Sequence, residues 1–271
     1  MNWLLDPFSY AFMQRGLIAS VAVGVLCAVM GTYVVLRGMA FLGDAMAHAI
    51  LPGVAIAYLL RGDLLLGATL AAVLIALSIG FFSRQGTIKE DTAIGILFAA
   101  ALSLGVALIS SMQTYAVDLT HILFGNVLGV STTDLWLIGG ISLLILLIVV
   151  LLYKPFLVIS FDPVLAATLR LPTEALRQLM LVLLALTVVV SLQTVGVSLA
   201  AAMLVTPAAT AYLLTRRLSS MMLVSAMLGA LSSVIGLYLS FYLNIVSGSA
   251  IVLTATFFFL LAFAWKRLRT G

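Results

Sequence analysis

Charge is what this sequence has least of. Asp, Glu, Lys and Arg make up 8% of its 271 residues, against roughly a quarter in an ordinary soluble domain. With 64% hydrophobic residues, a water-soluble exterior is excluded and an integral membrane protein is expected. Cysteine is almost absent. The single Cys27 lies in an apolar run, which excludes a disulfide framework and a thiolate metal cluster. No Gly-x-x-x-x-Gly-Lys-Ser/Thr run occurs, so the chain carries no P-loop for a nucleotide. His-Glu-x-x-His and Gly-x-Ser-x-Gly are missing too, which leaves intramembrane hydrolysis without a motif and argues against an enzyme. The net charge of +4 gathers nowhere: thirteen Lys and Arg stand singly or in pairs between apolar runs, so no nucleic-acid surface is expected. The first apolar run is long enough to remain in the bilayer, so a removable signal peptide is not expected.

What is there is a series of membrane-length apolar runs. A spanning helix takes about 20 such residues, and runs at 16–37, 40–60, 64–82, 92–112, 134–153, 178–195, 197–214, 221–243 and 248–265 predict eight or nine helices. The expected fold is an all-α, polytopic helical bundle forming one domain over 1–271. Gln193, Thr194 and Gly196 interrupt the stretch 178–214, which reads as two short helices. Short cytoplasmic loops collect Lys and Arg. With nine spans and an external N-terminus, Arg37, Arg84, Lys89, Lys154, Arg170, Arg177, Arg216, Arg217, Lys266, Arg267 and Arg269 all fall inside, and only Arg15 and Arg61 fall outside. The C-terminus is then cytoplasmic. The external stretch from Ser111 to Asp134 holds no Lys or Arg, and its apolar centre is too short to cross, so 113–133 is expected to form a re-entrant or interfacial element at a pore mouth. Inside, the long polar connection is 154–178. Asp162 followed by Pro163 is a helix start, Leu171-Pro172 ends that helix, and Thr173-Glu174 starts another. Short capped helices on that face suit docking by a soluble partner. A transporter with no nucleotide motif either couples to an ion gradient or borrows an ATPase, and these helices favour the ATPase.

Ionised groups within a bilayer are costly, about 2.5–3.5 kcal/mol each on insertion scales, and tend to be functional. Asp44 and His48, in Gly43-Asp44-Ala45-Met46-Ala47-His48-Ala49, are four apart and share one helix face. Pro52 lies four residues beyond His48 and removes the donor for its carbonyl, so a bend is expected there. The pair reads either as an interhelical hydrogen-bonding unit or as a cation site, and a cation role is favoured because a buried pair kept for packing alone costs more than apolar residues. Glu90 and Asp91 start the fourth span on the same inner side. Asp91 suits an N-cap as well as a metal ligand, and Glu90 suits the helix dipole. Carboxylates and imidazole without thiolate suit manganese, iron or zinc. Asp118 and His121, three apart in the external segment, could form an entry site or simply solvate a helix end. Thr206-Pro207 predicts a bend that frees the Met203 carbonyl. Ser225, Gly229 and Ser233 form a small-residue stripe, most simply a helix-packing face.

Several stretches resemble the membrane permease of the metal-ion ABC importers, the family that brings manganese, zinc or iron into bacteria. They are Val34-Val35-Leu36-Arg37-Gly38; Gly43-Asp44-Ala45 through His48-Ala49 to Leu51-Pro52-Gly53; Glu90 to Gly95; His121 to Gly129; Phe161-Asp162-Pro163; and Leu204-Val205-Thr206-Pro207-Ala208-Ala209. The resemblance implies alternating-access import of a divalent metal across the bacterial cytoplasmic membrane, with no permanently bound cofactor. It implies a cytoplasmic ABC ATPase as the hydrolytic subunit, an external solute-binding protein, and a second permease, either another copy of this chain in a homodimer or a related permease. It carries metal binding onto Asp44, His48, Asp91 and Glu90, and ATPase coupling onto Asp162, Pro163, Leu165 and Leu169. The His121–Gly129 stretch is similar to the manganese and iron branch. At Arg170-Leu171-Pro172 the chain departs from the family, which commonly has a glycine there. The alternative from another class is a secondary transporter in which Asp44 and Asp91 titrate to couple proton movement. A non-transporting scaffold would leave the Asp44–His48 pair unexplained.

Overall fold

The computed structural model describes residues 9–84, 88–111 and 127–270. Its regular elements among those residues are helices: α1 (Ala11–Leu36), α2 (Leu42–Ala49), α3 (Leu51–Leu59), α4 (Leu64–Ser83), α5 (Glu90–Ser110), a 3₁₀ turn at Val127–Gly129, α6 (Thr132–Leu151), α7 (Tyr153–Phe161), α8 (Pro163–Thr168), α9 (Thr173–Val195), α10 (Val197–Leu214), α11 (Leu218–Leu243) and α12 (Ser247–Thr270). Eight stretches are long and apolar enough to cross a bilayer, with α2 and α3 counting as one and α10 a shorter apolar helix beside them. Most of the expected re-entrant segment, with Asp118 and His121, lies outside the described residues.

The bundle is built around α1, which packs against α6, α9, α10 and α11. Lipid offers helices no hydrophobic drive to associate, so close backbone approach and hydrogen bonds hold them. The small-residue stripe of α11 supplies both. Ser225 Oγ donates to the Ala28 carbonyl at 2.8 Å and Ser233 Oγ to the Ser20 carbonyl at 2.9 Å. A Cβ at Gly229 would stand 2.5 Å from the Gly24 carbonyl oxygen. The stripe is therefore a packing face turned toward α1. In contrast, α4, α5 and α6 carry much of their apolar surface outward, where Leu70, Leu74, Leu104 and Leu143 are exposed, as helices bordering lipid or another subunit must.

Three turns fix corners between the helices. At the end of α1, Gly38 (φ +69°) donates to the Val35 carbonyl and Met39 to the Val34 carbonyl, a Schellman cap that needs a left-handed residue. The same pair of bonds ends α3 at Arg61 and α8 at Arg170, which sit at φ +52° and +55°. Arg170 thus occupies a left-handed position, one that glycine would fill without strain. Gly196 (φ +77°, ψ 171°) separates α9 from α10 in a region essentially closed to other residues, so 178–214 is two helices, as its polar interruption suggested. Pro207 lies inside α10, which continues through it.

Candidate functional site

The Schellman turn at Gly38 aims the chain from α1 into the eight-residue α2. This helix sits against α10 at Gly43, where a Cβ would stand 2.9 Å from Leu204 Cδ2. Leu204 also packs on α1, because a side chain at Gly31 would strike its carbonyl. Asp44 lies in the first turn of α2, the end whose dipole suits a carboxylate, and His48 in the last. The spanning helix then breaks at Ile50, whose N–H turns back to the His48 carbonyl, while Gly53 and Val54 both donate to the Ile50 carbonyl. That is the bend expected from Pro52.

His48 Nε2 and Asp44 Oδ1 are 3.8 Å apart, too far for a hydrogen bond and near enough for one cation to touch both. The two side chains are 29% and 46% exposed, on a face open beside α5. The edge of the His48 ring meets Phe98, with centroids 6.1 Å apart, and Phe98 meets Phe41 edge-on at 5.4 Å. Neither aromatic was singled out in the sequence; an apolar residue in a span carries no mark of which ring it supports.

Glu90 and Asp91 do not join this pair. Glu90 Oε2 accepts a hydrogen bond from Arg37 Nη2 at 2.8 Å, with the side chains only 16% and 14% exposed. Burial pulls the Arg37 pKa down, the neighbouring Arg177 adds to that, and Glu90 opposes it. Arg177 donates to the Gly80 carbonyl at 3.0 Å and to Glu174 at 3.3 Å. These contacts tie the end of α1 to the start of α5, and α9 to the end of α4. Asp91 is exposed and does not cap: α5 begins at Glu90 with Lys89 as N-cap, so Asp91 falls inside the first turn. Among the described residues no group of three or more His, Cys, Asp or Glu could hold a metal. Asp44 and His48 are the two polar side chains that α2 brings within 3.8 Å of each other.

On the α7–α9 connection, Asp162 Oδ1 accepts from the Val164 and Leu165 amides at 3.0 and 2.9 Å, with Pro163 in the first turn of α8. Leu165 and Leu169, one turn apart, are exposed, an apolar edge on a short capped helix.

A family model described as the ABC 3 transport family matches residues 9–266. The chain belongs to this family. The manganese transport system membrane protein MntC of Halalkalibacterium halodurans is 50% identical over 94% of this chain and 87% of its own length. A probable iron transport system membrane protein of Haemophilus influenzae is 40% identical over 99% of this chain and 98% of its own. Among solved structures, PsaBC from Streptococcus pneumoniae in complex with Fab superposes with a TM-score of 0.85 at 41% identity, covering 97% of this chain and 94% of that one. The fold is thus that of an ABC importer permease, and the chain is a multi-pass membrane protein.

Proposed function

We propose that this chain is the permease of an ATP-driven importer that moves manganese, with iron as the next candidate cargo and zinc after it. The observation that carries this is the open Asp44–His48 pair, 3.8 Å apart, at the break of a spanning helix in a chain of the ABC 3 transport family. Oxygen and imidazole donors without thiolate suit manganese or iron, and the 50% identical relative is named for manganese transport. Two donors are fewer than a first-row metal takes. A second copy of the chain, presenting its own Asp44 and His48 across the exposed face of α2, completes the site and makes the permease a homodimer.

The chain has no nucleotide motif, so ATP hydrolysis falls to a separate ATPase docked on α8, where Asp162 fixes the helix start and Leu165 and Leu169 form the contact edge. A solute-binding protein delivers the metal outside, past Asp118 and His121, and the C-terminus lies in the cytoplasm. Family membership favours this reading over proton-coupled secondary transport. Uptake of radiolabelled manganese by the complete importer tests it: Asp44→Ala and His48→Ala, each inserted at normal levels, abolish uptake. Normal rates in either variant would remove the site assignment.

A further inference from the structure

A cavity of about 350 Å³ lies away from the α2 pair, where the ends of α1, α7, α10 and α12 meet the start of α11. Its walls include Leu36, Phe161 and Tyr212, and its charged lining is Arg216, Arg217 and Lys266 with no acidic residue. All three cations are exposed. Among the described residues neither Arg216 nor Arg217 forms an ion pair with a carboxylate. Arg217 is also the N-cap residue of α11, whose first turn has neither a side-chain cap nor an acid, so the helix dipole adds to the positive potential. Arg216 and Arg217 stand side by side in the chain link 215–217, against an aromatic and aliphatic wall and with no acid in the lining.

We propose that this cavity binds a phosphate-bearing anion, the headgroup of an anionic phospholipid in the inner leaflet. Basic pockets between spanning helices on the cytoplasmic side have the right chemistry for such headgroups, and the apolar wall suits the glycerol and first acyl carbons. Phe161 immediately precedes Asp162, the cap of α8, so the bound headgroup sits at the base of the segment assigned to the ATPase. The inference rests on the inner placement of link 215–217 and is independent of the metal assignment.

Native mass spectrometry of the delipidated full chain in detergent tests it, with phosphatidylglycerol, phosphatidylcholine and inorganic phosphate as probes. Phosphatidylglycerol is expected to be retained over phosphatidylcholine. R216Q/R217Q weakens that binding about 30-fold and K266Q, on another helix, about fivefold, at the usual gain per basic residue near an anionic surface. R84Q, which removes an exposed cation elsewhere on the same side, leaves it unchanged. Displacement of the lipid by about 10 mM inorganic phosphate, with phosphate bound when no lipid is present, assigns the same phosphoryl site to a free anion. Equal retention of both lipids, or wild-type phosphatidylglycerol affinity in both R216Q/R217Q and K266Q, overturns the proposal. So does loss of ATPase copurification in R216Q/R217Q with lipid binding intact, because the cations then serve a protein contact.

Discussion

Helices α5 and α2 each carry a carboxylate in their first turn, and they treat it in opposite ways. In α5, Glu90 is pulled against Arg37 at 2.8 Å and largely covered. In α2, Asp44 faces His48 at 3.8 Å without a hydrogen bond and stays half exposed. A carboxylate within or beside a bilayer needs compensation. The Arg37–Glu90 pair finds it within the chain and thereby fastens α1 to α5. The Asp44–His48 pair leaves lone pairs unclaimed, which suits a group whose partner arrives and departs. Composition alone does not separate the two; the presence of a fixed cation does.

The largest expected effect bears on the open pair. Asp44→Ala and His48→Ala should reduce manganese uptake at least about 100-fold, the range set by loss of groups that govern metal affinity. The thermal midpoint of the purified permease should move little in Asp44→Ala, and in His48→Ala by no more than the ring contact with Phe98 of α5 is worth, about 0.5–1.5 kcal/mol. A large fall in the midpoint together with lost uptake would make the open pair structural and erase the contrast. Glu90→Ala should do the reverse. It leaves the Arg37 guanidinium covered and unpaired, a loss of about 3 kcal/mol, read as a lower unfolding midpoint in detergent. Arg37→Ala combined with Glu90→Ala should recover part of that loss, because no uncompensated charge remains. If the double variant is no better than Glu90→Ala alone, the pair is not a self-contained lock.

A smaller effect sharpens how the open pair is held. Phe98 touches both His48 and Phe41 edge-on, contacts worth about 0.5–1.5 kcal/mol for aromatic pairs. Phe98→Ala should therefore lower uptake about 3- to 10-fold, while Phe98→Leu, which fills space without a ring edge, should recover little. Full recovery by leucine would make Phe98 a spacer and not an orienting residue.

The spans were legible because bilayer thickness dictates apolar run length, and the break near Pro52 because a missing amide must open the helix. The ends were less legible. The first helix begins at Ala11, the α9 helix at Thr173, and α12 runs to Thr270; each continues past its apolar run through polar residues that an interface tolerates. The Arg37–Glu90 contact joins residues 53 apart, and hydrophobic periodicity says nothing about which charges meet. Asp44 and His48 were legible because both lie on one turn of one helix. Glu90 was weighed as a further donor beside Asp91, and its contact with Arg37, far away in the chain, could not be read from the sequence. The cap at Asp162 was legible because a cap is a local event, written within three residues of chain.

Arg170 gives the smallest effect and separates a cation kept for a contact from one that is not. Arg37 has Glu90, whereas Arg170 is exposed, in a left-handed turn at φ +55°, with no ion pair among the described residues. A non-glycine residue there sacrifices roughly 1 kcal/mol. Arg170→Gly should raise the unfolding midpoint by a few degrees at most and leave manganese uptake unchanged, since ten other Lys and Arg remain on the side expected to be cytoplasmic. A stabilised variant with impaired uptake would mean that the guanidinium at the end of α8 is engaged by the ATPase. The strain would then be retained for that contact, and the inner face would hold a third kind of charge, compensated only when the partner is bound.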